Sequence, residues 1–420
     1  MNNIRSVIDN QVCTGCGACS NICPSKCIKT LLNPKSGYYE TELTDSNCID
    51  CGACRKVCPV YTWNNNDNNV FVGSYLVAYS GYNTDETLRK ECASGGITTA
   101  LLVYLLRKGV IDAAVVSTRP KDNPLESKLK IVYTEEEVIA SKGSVYSPTS
   151  YVDIVDEIIK SEKTKFAIVG LPCHIEGITS LCKIRSKIAQ KIKFKIALVC
   201  GHTPSITAYH YSLRHLHVDI NDVNTLSNRG DGWPGYMKLN TKSNHEIKIP
   251  YSHKYSWGLC LSSCVFTPPG CRHCPDATGY NADVSICDAW LKKYKDDTIG
   301  RNLLLIRNLE MLSIIQRMKD EHIVEIQEET IVDFVKANDR VFAEKLVINR
   351  YKNESVNEKG LFANVNYIKL TSVLPNLMSR LYVISENAYH KCLGQKHANS
   401  LILFYFKVLK YLALKWVRIY

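Results

Sequence analysis

Two cysteine runs near the N-terminus, Cys13-x-x-Cys16-x-x-Cys19-x-x-x-Cys23-Pro24 and Cys48-x-x-Cys51-x-x-Cys54-x-x-x-Cys58-Pro59, have the spacing of iron–sulfur ligand sets. Three thiolates of such a run grip three corners of a cubane through a tight turn, and the fourth crosses to the neighbouring cluster. On that rule Cys13, Cys16, Cys19 and Cys58 hold one 4Fe-4S cluster, and Cys48, Cys51, Cys54 and Cys23 hold a second. Gly15, Gly17 and Gly52 let the backbone turn tightly enough for several thiolates to meet one inorganic core. Disulfides or zinc are the alternatives, but zinc sites rarely use four cysteines at this spacing twice over with a trailing proline. A pair of such clusters moves one electron at a time, so the rest of the chain must supply the other terminus.

Five further motifs carry chemistry. Cys92-Ala93-Ser94-Gly95-Gly96 precedes a helix, where bare amides and a hydroxyl can receive a phosphate or the polar edge of a flavin, although a glycine pair is most often only a turn. Ser141-Lys142-Gly143-Ser144-Val145-Tyr146-Ser147-Pro148 joins a cation, hydroxyls and a ring in one loop, which as a bare pattern reads equally as plain surface. Gly170-Leu171-Pro172-Cys173-His174 and Cys200-Gly201-His202-Thr203-Pro204-Ser205 each follow a strand-like run, where α/β proteins put their chemistry. The last, Cys271-Arg272-His273-Cys274-Pro275-Asp276, is followed by Asp283 and by Cys287-Asp288-Ala289-Trp290. Cys173, Cys200, Cys271 and Cys274 would give a third four-thiolate site, which suits zinc as well as a 4Fe-4S cluster. His174, His202 and Asp288 stand in these motifs as candidate catalytic residues, and ordinary hydrogen-bonded histidines are the plainer reading of the first two.

The elements that must position these residues form an N-terminal α+β unit followed by an α/β unit. A strand is expected over Val70–Ser80, a helix over Ile97–Lys108 and strands at Ala113–Val116, Phe166–Val169 and Lys195–Val199. Helical stretches fall at about 152–161, 175–188 and 204–217, and short alternating pieces between 220 and 260 point to a mixed sheet. The polar run Trp63–Asn69 reads as a linker, giving units at 1–63, 70–340 and a helical extension at 341–420. The 420 residues are 45% hydrophobic and 22% charged, enough to bury a sizeable core, and no run of eighteen apolar residues is present. Nineteen cysteines without an export signal suit metal ligands in a reducing cytoplasm. A net charge of +11 calls for an anionic partner, but no zinc-finger, helix-turn-helix or RNA-binding signature is present, so nucleic acid is not expected.

Over residues 5–62 the chain resembles the bacterial-type two-cluster ferredoxins. Residues 75–310 resemble the coenzyme F420 hydrogenase/dehydrogenase beta-subunit family, through Ser94-Gly95-Gly96, Gly170-x-Pro172-Cys173, Cys200-Gly201-His202, Arg229-Gly230-x-Gly232-Trp233 and Cys271-x-x-Cys274. The stretches Phe266–Cys271 and Asp288–Leu291 look most like the branch that includes hydroxymethyl chlorophyll a reductase. The resemblance implies an FAD bound by the loops at 94–96 and 142–147, with Ser94, Gly95, Gly96, Lys142, Ser144, Tyr146 and Arg229 as its binding residues. It also implies a third 4Fe-4S cluster close to the flavin, and electron exchange between ferredoxin-type clusters and a two-electron acceptor, a deazaflavin among the choices. Cys287 before Asp288, and Cys260 and Cys264 so near Cys271, depart from the family pattern, so Cys264 or Cys287 could replace Cys173 or Cys200. Cys27, Cys92, Cys182 and Cys392 read as small buried residues.

Leu401–Tyr420 is apolar apart from Lys407, Lys410, Lys415 and Arg418. Spanning a membrane is unfavourable, because four charges at about 3 kcal/mol each outweigh the apolar residues at about −0.5 each. Lying on an anionic surface at the inner face of the membrane, or packing on its own domain or on a second subunit, are equally good readings. The expected protein is therefore a cytoplasmic iron–sulfur flavoprotein oxidoreductase, working with a redox partner protein or a small two-electron acceptor. An electron-carrier subunit without its own substrate is the alternative.

Overall fold

Three sheets organise the residues that the computed structural model describes, 2–63, 72–251, 265–342 and 345. In chain order the strands are β1 (Ile28–Asn33), β2 (Tyr38–Leu43), β3 (Val77–Asn83), β4 (Ala113–Thr118), β5 (Lys128–Val132), β6 (Phe166–Gly170) and β7 (Ile192–Leu198). They continue as β8 (Val223–Ser227), β9 (Tyr236–Thr241), β10 (Glu246–Pro250), β11 (Val284–Asp288), β12 (Asn302–Ile306) and β13 (Val324–Glu329).

The N-terminal unit is built around its cysteine turns. β1 and β2 pair as an antiparallel hairpin between the two runs, from Ile28 opposite Leu43 to Asn33 opposite Tyr38. Short helices, Ala18–Ile22 and Ala53–Val57, are each entered through a left-handed glycine, Gly17 at φ 82° and Gly52 at φ 74°. A side chain at Gly17 would also collide with the second unit, since its Cβ would lie 2.6 Å from Ser150 Oγ and 2.9 Å from Val152 N.

The main sheet has the order β13-β3-β12-β11-β7-β6-β4-β5. Its middle, β11, β7, β6 and β4, is parallel, while β5 on one side and β12, β3 and β13 on the other add antiparallel strands. The sheet is thus mixed, but not for the reason expected: residues 223–250 form a separate three-stranded antiparallel sheet of β10, β9 and β8. Of the strand expected from Val70, the first two residues lie outside the described ones, and the strand observed begins at Val77, after the turn at Gly73. The expected helix at 175–188 begins at Pro172 and breaks at Arg185, whose backbone is extended.

Successive side chains of β4 point to opposite faces, as a strand requires. Ala114 and Val116 pack with the helices Ile97–Arg107 and Leu309–Asp320 on one face. Ala113 and Val115 pack with the helices Ile154–Lys160 and Pro172–Ile184 on the other. That second core also contains Cys16, Ala18 and Val57, so the helix Pro172–Ile184 lies between the sheet and the N-terminal unit. Gly177 permits the approach: a Cβ there would sit 3.1 Å from Ala18 Cβ and 3.5 Å from Cys16 Sγ. Because β6 and β7 are parallel neighbours, the loops carrying Cys173 and Cys200 leave the sheet along one edge. Phe334, Ala337 and Phe342 pack against Leu303 and Leu305, carrying this unit to at least Phe342. Among the described residues no helix is long and apolar enough to cross a membrane, and Leu401–Tyr420 lies outside them.

Candidate functional site

The N-terminal thiols sort by space rather than by run. Cys58, last of the second run, lies beside Cys13 and Cys16 of the first, and Cys19 completes the group. Burial first, and then the neighbouring thiols, push Cys19 and Cys58 well above the ordinary thiol range and Cys16 up to about 11. Protons stay on such sulfurs unless a metal core replaces them. Cys23 borders a different small cavity, together with Cys48, Cys51 and Cys54. Cys27 is buried, but its Sγ lies 3.4 Å from Cys23 Sγ in that same wall, closer to the chemistry than a plain core residue. Among the described cysteines Cys51 alone is exposed.

Cys173, Cys200, Cys271 and Cys274 converge on another small cavity, whose wall also holds Cys13, Thr14 and Lys345. β6 delivers Cys173 in the first turn of the helix that follows it, β7 delivers Cys200, and the short 3-10 helix Pro269–His273 presents the Cys271 and Cys274 pair. Buried Asp276 fixes the turn beyond Cys274 by accepting the amides of Thr278 (2.9 Å), Gly279 (2.8 Å) and Tyr280 (3.1 Å). Burial drives the Cys173 thiol well up, Cys200 up to about 12 and Cys274 up to about 11. Cys287 is not in this wall; its Sγ receives Asn338 Nδ2 at 3.2 Å on the border of a larger cavity. Cys260 and Cys264 lie outside the described residues. Among the described residues no three Cys, His, Asp or Glu side chains stand close enough together for a single metal ion.

The first and third thiol groups adjoin. Cys16 is near enough to Cys173 for their charges to interact, and a Cβ on Gly270 would fall 1.9 Å from Cys13 O. The third group in turn adjoins the larger cavity, since Leu171, His174, Cys200, Gly201, His202 and Thr203 line both.

That larger cavity, of about 610 Å³, opens at the C-terminal edge of the parallel strands, with Ser117, Gly170, Leu198 and Asp288 in its wall. Its size falls in the range of cofactor pockets. Gly96, at φ 75°, starts the helix Ile97–Arg107 with no side-chain cap, and Thr98 and Thr99 of the first turn face the cavity. Asn302 Oδ1 takes the Ile97 amide at 3.1 Å. Ser94 is in the wall but its hydroxyl is committed to Arg301 O at 2.7 Å. Gly95 is not in the wall: its Cβ would lie 2.7 Å from Asn302 N, so its smallness serves packing on β12. Lys142, Ser144 and Tyr146 all line the cavity, and Lys142 lies 3.4 Å from the Glu91 carboxylate, just before the loop that enters the helix. The donor set fits a phosphate-bearing flavin: a helix N-terminus whose first turn, beyond the Ile97 amide that Asn302 takes, lines the cavity, the Lys142 cation, which also pairs with Glu91, and the Ser117 hydroxyl, which has no hydrogen-bond partner among the described residues.

Arg229 is buried and fully engaged. It donates to Ala93 O (2.6 Å), Pro234 O (2.7 Å), Tyr146 Oη (3.2 Å) and Asp288 Oδ2 (2.9 Å), and lies 4.5 Å over the Tyr251 ring. Burial opposes its charge, but Asp288 and the two tyrosines hold its pKa above the ordinary value. It therefore ties the Ala93 loop, the Tyr146 loop and the end of β11 into one wall. His174 is similarly committed: Nδ1 accepts the Leu171 amide (3.3 Å) and Nε2 faces Thr149 O (3.0 Å), which assigns the proton to Nε2. Burial lowers its pKa to about 4, so it pins the helix start to the 149 loop rather than offering a proton. His202 sits in the wall common to both cavities. Trp290, with Trp233 at 4.3 Å and Tyr251 at 6.3 Å, forms an aromatic rim beside Asp288. Lys345, Gly177 and Tyr251 were not foreseeable from any motif, whereas Gly270 stands within the Pro268-Pro269-Gly270-Cys271 stretch.

Comparison with known proteins agrees with this architecture. Residues 78–156 and 163–331 match the N-terminal and C-terminal parts of the coenzyme F420 hydrogenase/dehydrogenase beta subunit, and residues 12–62 match a 4Fe-4S dicluster domain. The chain is 25% identical over 221 residues to the beta subunit of the coenzyme F420 hydrogenase of Methanosarcina barkeri, covering 51% of this chain and 71% of that one. It is 25% identical over 305 residues to one of the subunits of the F(420)H(2) dehydrogenase of Methanosarcina mazei, covering 67% and 77%. In fold it is similar to a chain of the F420-reducing NiFe hydrogenase complex of Methanosarcina barkeri, with a TM-score of 0.52 and 20% identity over 70% of this chain and 97% of that one. The chain belongs to the coenzyme F420 hydrogenase/dehydrogenase beta-subunit family of oxidoreductases, with a 4Fe-4S dicluster domain at its N-terminal end.

Proposed function

We propose that this chain is an iron–sulfur flavoprotein that exchanges single electrons at the surface around Cys51 and electron pairs in the 610 Å³ cavity. The observation that carries this is the succession of sites. The exposed Cys51 group adjoins the Cys58 group, which adjoins Cys173, and the Cys173 group shares a wall with the cavity. A flavin, when bound, supplies the conversion between one-electron and two-electron chemistry.

Within the cavity the helix start at Gly96 and Lys142 would hold the phosphates, and the Arg229 clamp would keep the walls at a fixed separation. Cys173, Cys200, Cys271 and Cys274 would hold a third 4Fe-4S cluster behind it. The similar proteins named above share coenzyme F420 in their names, and this supports a deazaflavin as the two-electron reactant. Several are named as subunits, which supports a protein partner at the one-electron end. The thiol-rich composition suits a reducing cytoplasm.

The test uses the reconstituted full chain, reduced without oxygen by dithionite, freed of excess reductant and mixed with the deazaflavin. The wild type is expected to reduce it, and Cys200→Ser is expected to lose the reaction while keeping the two ferredoxin signals. Reduction only after a partner protein is added would favour the carrier-subunit alternative.

A further inference from the structure

We propose that Lys345 is a positioning residue that raises the reduction potential of the Cys173, Cys200, Cys271 and Cys274 site above that of the adjoining Cys13, Cys16, Cys19 and Cys58 site. The inference rests on the third-cluster reading above. Lys345 is only 4% exposed, lies in the wall of the small cavity that the four thiols share, and donates from Nζ to Cys274 O at 2.8 Å and toward Cys271 O at 3.5 Å. A buried ammonium is a large local charge, because little water screens it. Reducing a thiolate-bound cluster adds one negative charge, and a fixed cation in the wall favours that state.

Among the described residues no Lys or Arg side chain is hydrogen-bonded to the backbone of Cys13, Cys16, Cys19 or Cys58 as Lys345 is to Cys274. The groups acting most strongly on Cys13, Cys16, Cys19 and Cys58 are other thiols, nearby hydrogen-bond donors and the Glu40 carboxylate. Lys345, by contrast, acts favourably on the thiolate forms of Cys200, Cys271 and Cys274, and Arg272 adds to it at Cys271. Two adjoining thiol sites thus differ in the charge set beside them. The electron is drawn toward the site that borders the larger cavity, where the two-electron chemistry is proposed.

The experiment is a potentiometric titration of the reconstituted full chain, with each cluster followed by electron paramagnetic resonance. Wild type is expected to reduce its third cluster before the Cys58 cluster. Lys345→Gln, which keeps a donor but removes the charge, is expected to shift the third cluster's reduction equilibrium at least tenfold toward the oxidised form, about 59 mV for one electron. Lys345→Arg is expected to stay near wild type, and in Lys345→Gln the two ferredoxin clusters are expected to shift less than the third. An unshifted third cluster in Lys345→Gln overturns the inference, as does the opposite order of reduction in wild type. Loss of the third signal in Lys345→Gln also overturns it, since the residue then holds the site together rather than tuning it. Absence of a third cluster from wild type is a separate result, which removes the reading beneath the inference instead.

Discussion

The Cys13, Cys16, Cys19 and Cys58 group and the Cys173, Cys200, Cys271 and Cys274 group lie side by side, each a set of four thiols sunk in protein, yet they are assembled in different ways. The first takes three members from a single turn of the backbone and one from a matching turn across a hairpin. The third is drawn from two strand ends and a 3-10 helix spread over roughly a hundred residues, so it exists only once the sheet has formed. Local assembly makes a self-contained module. Assembly by the sheet ties a site to the sheet's C-terminal edge, where the large cavity also opens, and brings in outside groups such as Lys345. The Cys173 group is therefore placed to communicate with the cavity, and the Cys58 group to communicate with it.

Four substitutions and one control press on that contrast. The largest effect is expected from Cys58→Ser, which should remove the cluster of Cys13, Cys16 and Cys19, or about a third of the iron, and leave the Cys48 group's signal. Loss of the Cys48 group's signal in its place would show that the runs do not exchange their fourth ligands. Arg229→Met removes the buried partner of Asp288 and should cost about 3 kcal/mol in denaturant unfolding, with flavin content falling and iron content unchanged. Equal loss of iron would mean that the cavity wall and the third thiol group are a single structural unit.

Gly270→Ala forces a Cβ against Cys13 O, and moving that loop should cost about 1–3 kcal/mol and disturb the signals of both adjoining clusters. Gly109→Ala is the control, since that glycine has left-handed backbone but open space around it, and only about 1 kcal/mol of strain is expected. A Gly270→Ala protein no less stable than Gly109→Ala would refute the tight seam between the two groups. Cys287→Ser should be the mildest, keeping all the iron, because its sulfur faces Asn338 rather than the third group. Iron loss there would move a ligand from the strand-end set to β11.

What was legible in the sequence follows the same division. The N-terminal ligand sets could be read because spacing within a turn fixes geometry without help from the fold. The helix at Ile97 was bounded closely because a glycine pair opens it and Lys108-Gly109 closes it. The alternation in 223–250 signalled strands, but a period of two cannot say which sheet a strand joins, and these three formed their own. Gly95 and Gly96 look equivalent as letters. One takes a left-handed conformation at the cavity and the other makes room for Asn302, a difference set by a strand two hundred residues later. His174 follows a thiol in sequence yet spends both ring nitrogens on backbone, and Lys345 carries no motif at all.

We propose that three iron–sulfur sites and a flavin cavity follow one another through this chain. The most direct measurement is the iron, zinc and flavin content of the anaerobically reconstituted, purified full chain. About twelve irons and one FAD per chain, without zinc, is the predicted result. About eight irons with one zinc and no flavin would contradict it.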